Sequence, residues 1–126
     1  MKELYTSSEV VVGEGVSFPY RGGIHFFQPD QIIRLEAESN YTHIYFNNHR
    51  PILMAKVLCA YQNLLEPFGF IRTHRSHLIN KHHITSIHVN GEIIMDDKSK
   101  AVISRSKRRS LRSAFKNGLL EHEFMT

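Results

Sequence analysis

Residues 70–83 read FIRTHRSHLINKHH, and the side chains in that stretch are chemically dense. Arg72, Arg75 and Lys81 carry positive charge; His74, His77, His82 and His83 can titrate or ligate; Thr73, Ser76 and Asn80 can exchange hydrogen bonds. Hydrolytic catalysis would need a nucleophile activated by a histidine that a carboxylate orients. No Asp or Glu lies between Pro67 and Gly91, and neither Ser76 nor Ser104 has the glycine-flanked elbow of a serine nucleophile. A metal centre would need converging ligands, but His74-x2-His77 and His82-His83 have no acid or thiol nearby, and adjacent side chains on an extended chain point to opposite sides. Binding a polyanion needs neither arrangement. Cations neutralise phosphates and short hydrogen-bonding side chains reach base edges; the amide of Asn80 offers the donor and acceptor that match the major-groove edge of adenine. Asparagine is equally an ordinary turn residue. The expectation is therefore no catalytic residue, no metal ligand and no cofactor.

A second basic stretch runs from Ala101 to Leu120, again without Asp or Glu. Ser104 resembles a helix N-cap, Asn117-Gly118 a stop, and Leu111, Ala114 and Phe115 share one face, so a short basic helix is expected over about 105–117. Its first turns hold Arg105, Lys107, Arg108 and Arg109. Helix N-termini carry partial positive charge, so each cation there costs a few tenths of a kcal/mol, on the order quoted for dipole interactions. A bound anion would reverse the sign.

These segments must be positioned by the rest of the chain. Met54, Val57, Leu58, Tyr61, Leu64, Leu65 and Phe68 form one helical stripe, closed by Pro67 and Gly69, which predicts a helix over about 55–66 packed on a sheet. Elsewhere the pattern is β. Val10–Val12, VSFPY, IHFF and YTHIYF alternate or carry β-branched and aromatic residues between glycines. Asn47-Asn48-His49 marks a hairpin tip before Pro51-Ile52-Leu53. ITSIHV, Asn90-Gly91, EIIM, the turn at 96–100 and AVI make a meander. The fold class expected is mainly β, with short antiparallel sheets and one or two short helices.

With 126 residues, 41% of them hydrophobic, the chain is long enough for a single core. A net charge of +4 permits a polyanionic partner. No apolar run approaches a membrane span or a signal peptide, so a soluble, cytoplasmic protein without membrane association is expected. The single cysteine, Cys59, allows no intramolecular disulfide and is expected as a buried apolar thiol.

The order of these features resembles the LytTR-type DNA-binding domain, the output module of many bacterial response regulators. IIRLEAESNYTHIYF is similar to the family's opening strand and turn, FIRTHRSHLINKHHITSI to its most distinctive block, and AVISRSKRRSL to its closing strand and basic helix. The resemblance spans roughly Phe27 to Lys116. It implies a domain at 20–118, an N-terminal segment at 1–19 with a candidate first strand, and a tail at 119–126. It also implies double-stranded DNA contacted by loops entering successive major grooves, often by two copies on a direct repeat. Receiver domains usually precede such modules and sensor proteins act upstream; nothing in these residues could be a receiver.

On this reading Asn80, with Asn40, Thr42, His43, Arg105 and Lys107, contacts bases. Arg72, His74, Arg75, Ser76, Lys81, Arg108 and Arg109 contact the backbone. The alternative is an interaction module whose basic face docks an acidic partner. The DNA reading requires Asn80 and Arg105 to be exposed on one cationic face. Imidazoles near phosphate should also gain protons, strengthening binding as pH falls from about 7.5 to 6.

Overall fold

The computed structural model describes residues 4–5, 11–12 and 15–116. In chain order these form β1 (Leu4–Tyr5), β2 (Val11–Val12), β3 (Gly15–Tyr20), β4 (Gly23–Phe27), β5 (Ile32–Glu38), β6 (Tyr41–Phe46), β7 (His49–Met54), α1 (Leu58–Leu65), β8 (Phe70–His74), β9 (His77–Asn80), β10 (Ile84–Ile87), β11 (Glu92–Met95), β12 (Lys100–Val102) and α2 (Arg108–Lys116). Single 3-10 turns sit at Pro29–Gln31, Glu66–Phe68, Lys81–His83 and Arg105–Lys107. The strands make a six-stranded sheet in the order β1-β7-β6-β5-β9-β8 and two three-stranded sheets, β2-β3-β4 and β10-β11-β12. Apart from the parallel β1–β7 pair, neighbouring strands are antiparallel. The mainly β expectation holds.

Around β5, β9 and β8 the large sheet is covered on both faces, which explains a feature the alternation rule does not. Phe70-Ile71 and Leu78-Ile79 are consecutive apolar residues on strands, where a half-solvated strand would alternate with polar ones. Phe70 and Leu78 enter a core formed with β3, β4 and α1, containing Phe18, Phe27, Phe46, Leu58, Tyr61 and Leu65. Ile71 and Ile79 face the opposite way, into a second core with Ile93, Met95, Ala101 and Ile103 from the β10–β12 region. Burying each such side chain contributes about 1.5–3 kcal/mol. The first core includes an aromatic cluster, with Phe27 and Phe46 ring centroids 4.3 Å apart and Phe18 edge-on to Phe46 at 6.0 Å. Val16 and Phe18 are fully buried, so strand β3 is packed into the same unit as the later strands.

The first helix begins later than its apolar stripe suggests. Met54 remains in β7, paired with Thr42 and Tyr5, and Val57 is an extended N-cap residue that is half exposed. Sheet pairing holds the chain extended through Met54, and the hydroxyl of Thr42 donates to the Lys56 carbonyl (2.6 Å), so Lys56 stays outside the helix. Leu58, Tyr61 and Leu65 then bury one face. Cys59 projects from the opposite side and is exposed, contrary to the buried thiol expected. The basic helix likewise starts with a 3-10 turn at Arg105–Lys107 before α2, and Ser104, although extended as a cap residue should be, makes no side-chain cap bond. The Asn117-Gly118 stop lies outside the described residues.

Asn80 holds the far end of the sheet together. It is 1% exposed. Its amide nitrogen donates to the carbonyls of Pro29 (3.2 Å) and Ile32 (3.0 Å), and its oxygen accepts the backbone N–H of His82 (3.0 Å). Both amide hydrogens are thereby used, and the 29–32 stretch is tied to the turn that follows β9. Asn80→Ala would leave two carbonyls and one amide without this partner, each such loss being costly when buried. We expect it to lower folding stability by roughly 2–3 kcal/mol in urea unfolding, within the range for unsatisfied buried groups.

Candidate nucleic-acid interface

At one end of the large sheet, three loop segments lie side by side. The β5–β6 turn at Ser39-Asn40 and the β8–β9 turn at Arg75-Ser76 are neighbours because β5 pairs with β9, Glu36 opposite His77, and the Ala37 amide donates to the Ser76 carbonyl (2.9 Å). The segment after β12 flanks β8 on its outer side. There the Ser104 amide donates to the Thr73 carbonyl (2.7 Å), the Thr73 hydroxyl to the Val102 carbonyl (2.8 Å), and Nζ of Lys107 to the Arg72 carbonyl (2.9 Å). Residues 39–43, 72–77 and 102–107, remote along the chain, are thus drawn into one surface.

The β8–β9 turn has no glycine, which is why the sequence conceals it. Side chains build it instead. The Arg72 guanidinium donates to the carbonyls of His74 (2.9 Å) and Arg75 (2.5 Å), and also to Oε1 of Gln62 on α1 (2.9 Å). Nδ1 of His74 accepts the Ser76 amide (3.0 Å). Arg72 and His74 are therefore committed to shaping the turn, and what the turn presents is the exposed side chain of Arg75.

The remaining expected residues divide sharply. Asn40 is exposed in its turn, beside Tyr41, which is 39% exposed. His43 is half-buried, contacts the Glu38 carboxylate and stacks on Tyr45. Thr42 is fully buried with its hydroxyl given to Lys56, so it has no free group for a base. Asn80 is buried as well, and with Lys81 it sits at the other end of β9, roughly 13 Å from the Arg75 turn at 3.3 Å per residue. The requirement that Asn80 be exposed on the cationic face is not met: it tied the surface to a residue whose amide is spent on the fold. Lys81 instead packs near Gly69 at that far end, its amide bonded to the Gly69 carbonyl (3.1 Å). Arg105 and Arg109 are exposed, while the Arg108 side chain lies over Gly91 and its Nε approaches the Ile103 carbonyl at 3.4 Å. A β-carbon on Gly91 would come within 2.3 Å of that nitrogen.

A family model described as the LytTr DNA-binding domain matches residues 22–116. The chain belongs to this family. A solved structure described as the LytTr DNA-binding domain of a response regulator from Bacillus cereus has the same fold, with a TM-score of 0.69 and 22% identity over 82% of this chain and 98% of that one. Among curated proteins none matches. Among the described residues of this LytTr domain no group of His, Cys, Asp and Glu is arranged to hold a metal ion, and no helix is long and apolar enough to cross a membrane.

Carboxylates also enter the loop end of the LytTr domain, a feature the sequence reading overlooked. Glu36 pairs with the buried Arg34 (2.6 Å), whose guanidinium lies 4.1 Å over the Tyr45 ring and bonds the Ser99 hydroxyl (2.9 Å). His77 Nδ1 stands 3.9 Å from the same Glu36 carboxylate and has no hydrogen-bond partner among the described residues. Burial, assisted by the Arg34 and His74 charges and only partly opposed by Glu36, pushes the His77 pKa below its usual value. His82 moves the same way, through burial and the nearby Lys81 and His83 charges. These two imidazoles resist the protonation that the sequence reading assigned to them. The folded state then binds fewer protons than the unfolded chain, so stability is lost as pH falls from about 6.5 toward the folded pKa values. His77→Gln should flatten the decline of Tm between pH 7.5 and 5.5, as thermal unfolding at stepped pH will read; an unchanged decline would mean that His77 protonates freely in the fold.

Proposed function

We propose that this LytTr domain binds double-stranded DNA sequence-specifically, as the output part of a bacterial transcriptional regulator working in the cytoplasm. The loop end of the large sheet faces the duplex. One observation carries the reading: side-chain clamps hold a glycine-free two-residue turn so that Arg75 stands alone at its tip, flanked by Asn40 on one side and Lys107 on the other. Arginine in such a position suits the O6 and N7 acceptors of guanine, which it can meet with two parallel hydrogen bonds. Asn40 has the amide for an adenine edge, and His43 and Tyr41 line the same turn. Arg75 thus takes the base-reading role first assigned to Asn80, and Lys107, Ser76 and Arg109 serve the phosphates.

The same arrangement fits two copies side by side on a direct repeat, each addressing one groove, with half-sites about one helical turn apart. A receiver domain or sensor partner would belong to the rest of such a system. Selection from random duplexes tests the specificity and the spacing together.

Arg75→Lys separates base reading from charge, because lysine keeps the cation and loses the fork. On the selected duplex it should weaken binding by about 1–3 kcal/mol, the value of one bidentate contact, with little change on mixed-sequence DNA. Fluorescence anisotropy titrations against both duplexes decide it; equal small losses on the two would make Arg75 a phosphate contact only.

A further inference from the structure

A row of cations runs along α2, beyond the turn that carries Arg75. Arg105, Arg108, Arg109, Arg112 and Lys116, with Ser113, line an open recess of about 600 Å³. None of the five cations has a carboxylate partner among the described residues. Arg105/Arg109, Arg108/Arg112 and Arg112/Lys116 stand four residues apart, where like charges on a helix repel, and Arg108 and Arg109 also oppose the dipole at the helix start. Packing on Leu111 holds the helix against the second core, and Arg108 lies over the turn at Gly91. Among the described residues the arrangement sums several small penalties with no carboxylate to offset them.

The shape of the charge narrows its partner. From Arg105 to Lys116 the cations extend roughly 18 Å, taking about 2.0 Å per residue through the 3-10 turn and 1.5 Å along α2. A single small anion would meet two or three of them. A DNA strand carries a phosphate at every nucleotide, about 3.4 Å apart along the axis and winding around it, so a row of that length meets several successive phosphates rather than one. The row also begins where the loop surface ends, since Lys107 is tied to the Arg72 carbonyl and Ser104 to Thr73.

We infer that the α2 recess extends the proposed surface beyond Arg109 as a sequence-independent row of phosphate contacts, which holds the DNA backbone flanking the bases read by the loops. It rests on the duplex-binding reading above but is separable from it. Arg105, drawn into this recess, serves phosphate rather than a base, and Arg112 and Lys116 join it.

The test uses the full chain and the variant Arg112→Ala/Lys116→Ala, both side chains being exposed so that the fold is retained, as circular dichroism melting will verify. Anisotropy titrations over 50–300 mM salt are made with a 30-base-pair mixed-sequence duplex, with the selected duplex trimmed to its read bases, and with a 20-residue poly-glutamate. The expected result is a log–log salt slope on the 30-base-pair duplex shallower by about 1.8 in the variant, at 0.9 per lost phosphate contact, with binding to the trimmed duplex little changed. An unchanged slope on the long duplex would overturn the inference while leaving the loop reading intact. Loss confined to poly-glutamate would overturn it in favour of an acidic protein partner. Absence of wild-type binding to either duplex would sink the duplex-binding reading itself.

Discussion

The guanidinium of Arg72 is the contact on which the proposed surface depends. It donates to the carbonyls of His74 and Arg75 and to the side chain of Gln62, so one group closes the β8–β9 turn and ties it to α1. A two-residue hairpin turn is commonly made by glycine or asparagine at positive φ. Here no residue of the turn has positive φ, and hydrogen bonds from arginine and histidine side chains support its shape. A charged donor makes each such bond stronger than a neutral one. The consequence is functional: a turn made rigid by Arg72 can carry a cation of its own at the tip without losing its conformation.

The layers around the sheet explain why the loops are free to do this. Because α1 and the β2–β4 sheet cover one face and the β10–β12 region covers the other at β5, β9 and β8, those strands spend their apolar side chains on two cores. Binding groups are left for the strand ends. The two ends then differ. At one, Asn80 ties the 29–32 stretch to the turn at 81–83 through three hydrogen bonds; at the other, Asn40, Arg75 and Arg105 are exposed.

How much of this was legible in the sequence follows from what each residue's neighbours reveal. Hairpins at Asn47-Asn48 and Asn90-Gly91 and the strands around them were readable, since turn chemistry is local; Asn48 and Gly91 do take positive φ. The expected meeting of the two basic stretches through Asn80 and Arg105 is not found, since Asn80 is buried; backbone hydrogen bonds around Thr73 and Ser104 bring the stretches together instead. The β8–β9 hairpin was not readable, because its strands are apolar on both faces and its turn is made by residues that look like ligand contacts. For the same reason the sequence does not show that Asn80 and Thr42 are buried and that Arg72 bonds the turn. Polar side chains in a charged stretch can serve the backbone as well as a ligand, and burial, which decides between them, is a property of the whole fold. Glu36 and Glu38 were missed because they lie outside the basic windows and reach the loop end only through β5.

The most direct measurement couples the Arg72 clamp to DNA binding. In Arg72→Lys, which keeps the charge and loses the fork, the Ser76 amide should exchange with solvent faster, amides of the two cores should be unchanged, and affinity for the selected duplex should fall at least tenfold. Unaltered Ser76 exchange accompanied by the same affinity loss would contradict the account, because Arg72 would then be touching the DNA rather than shaping the turn that does.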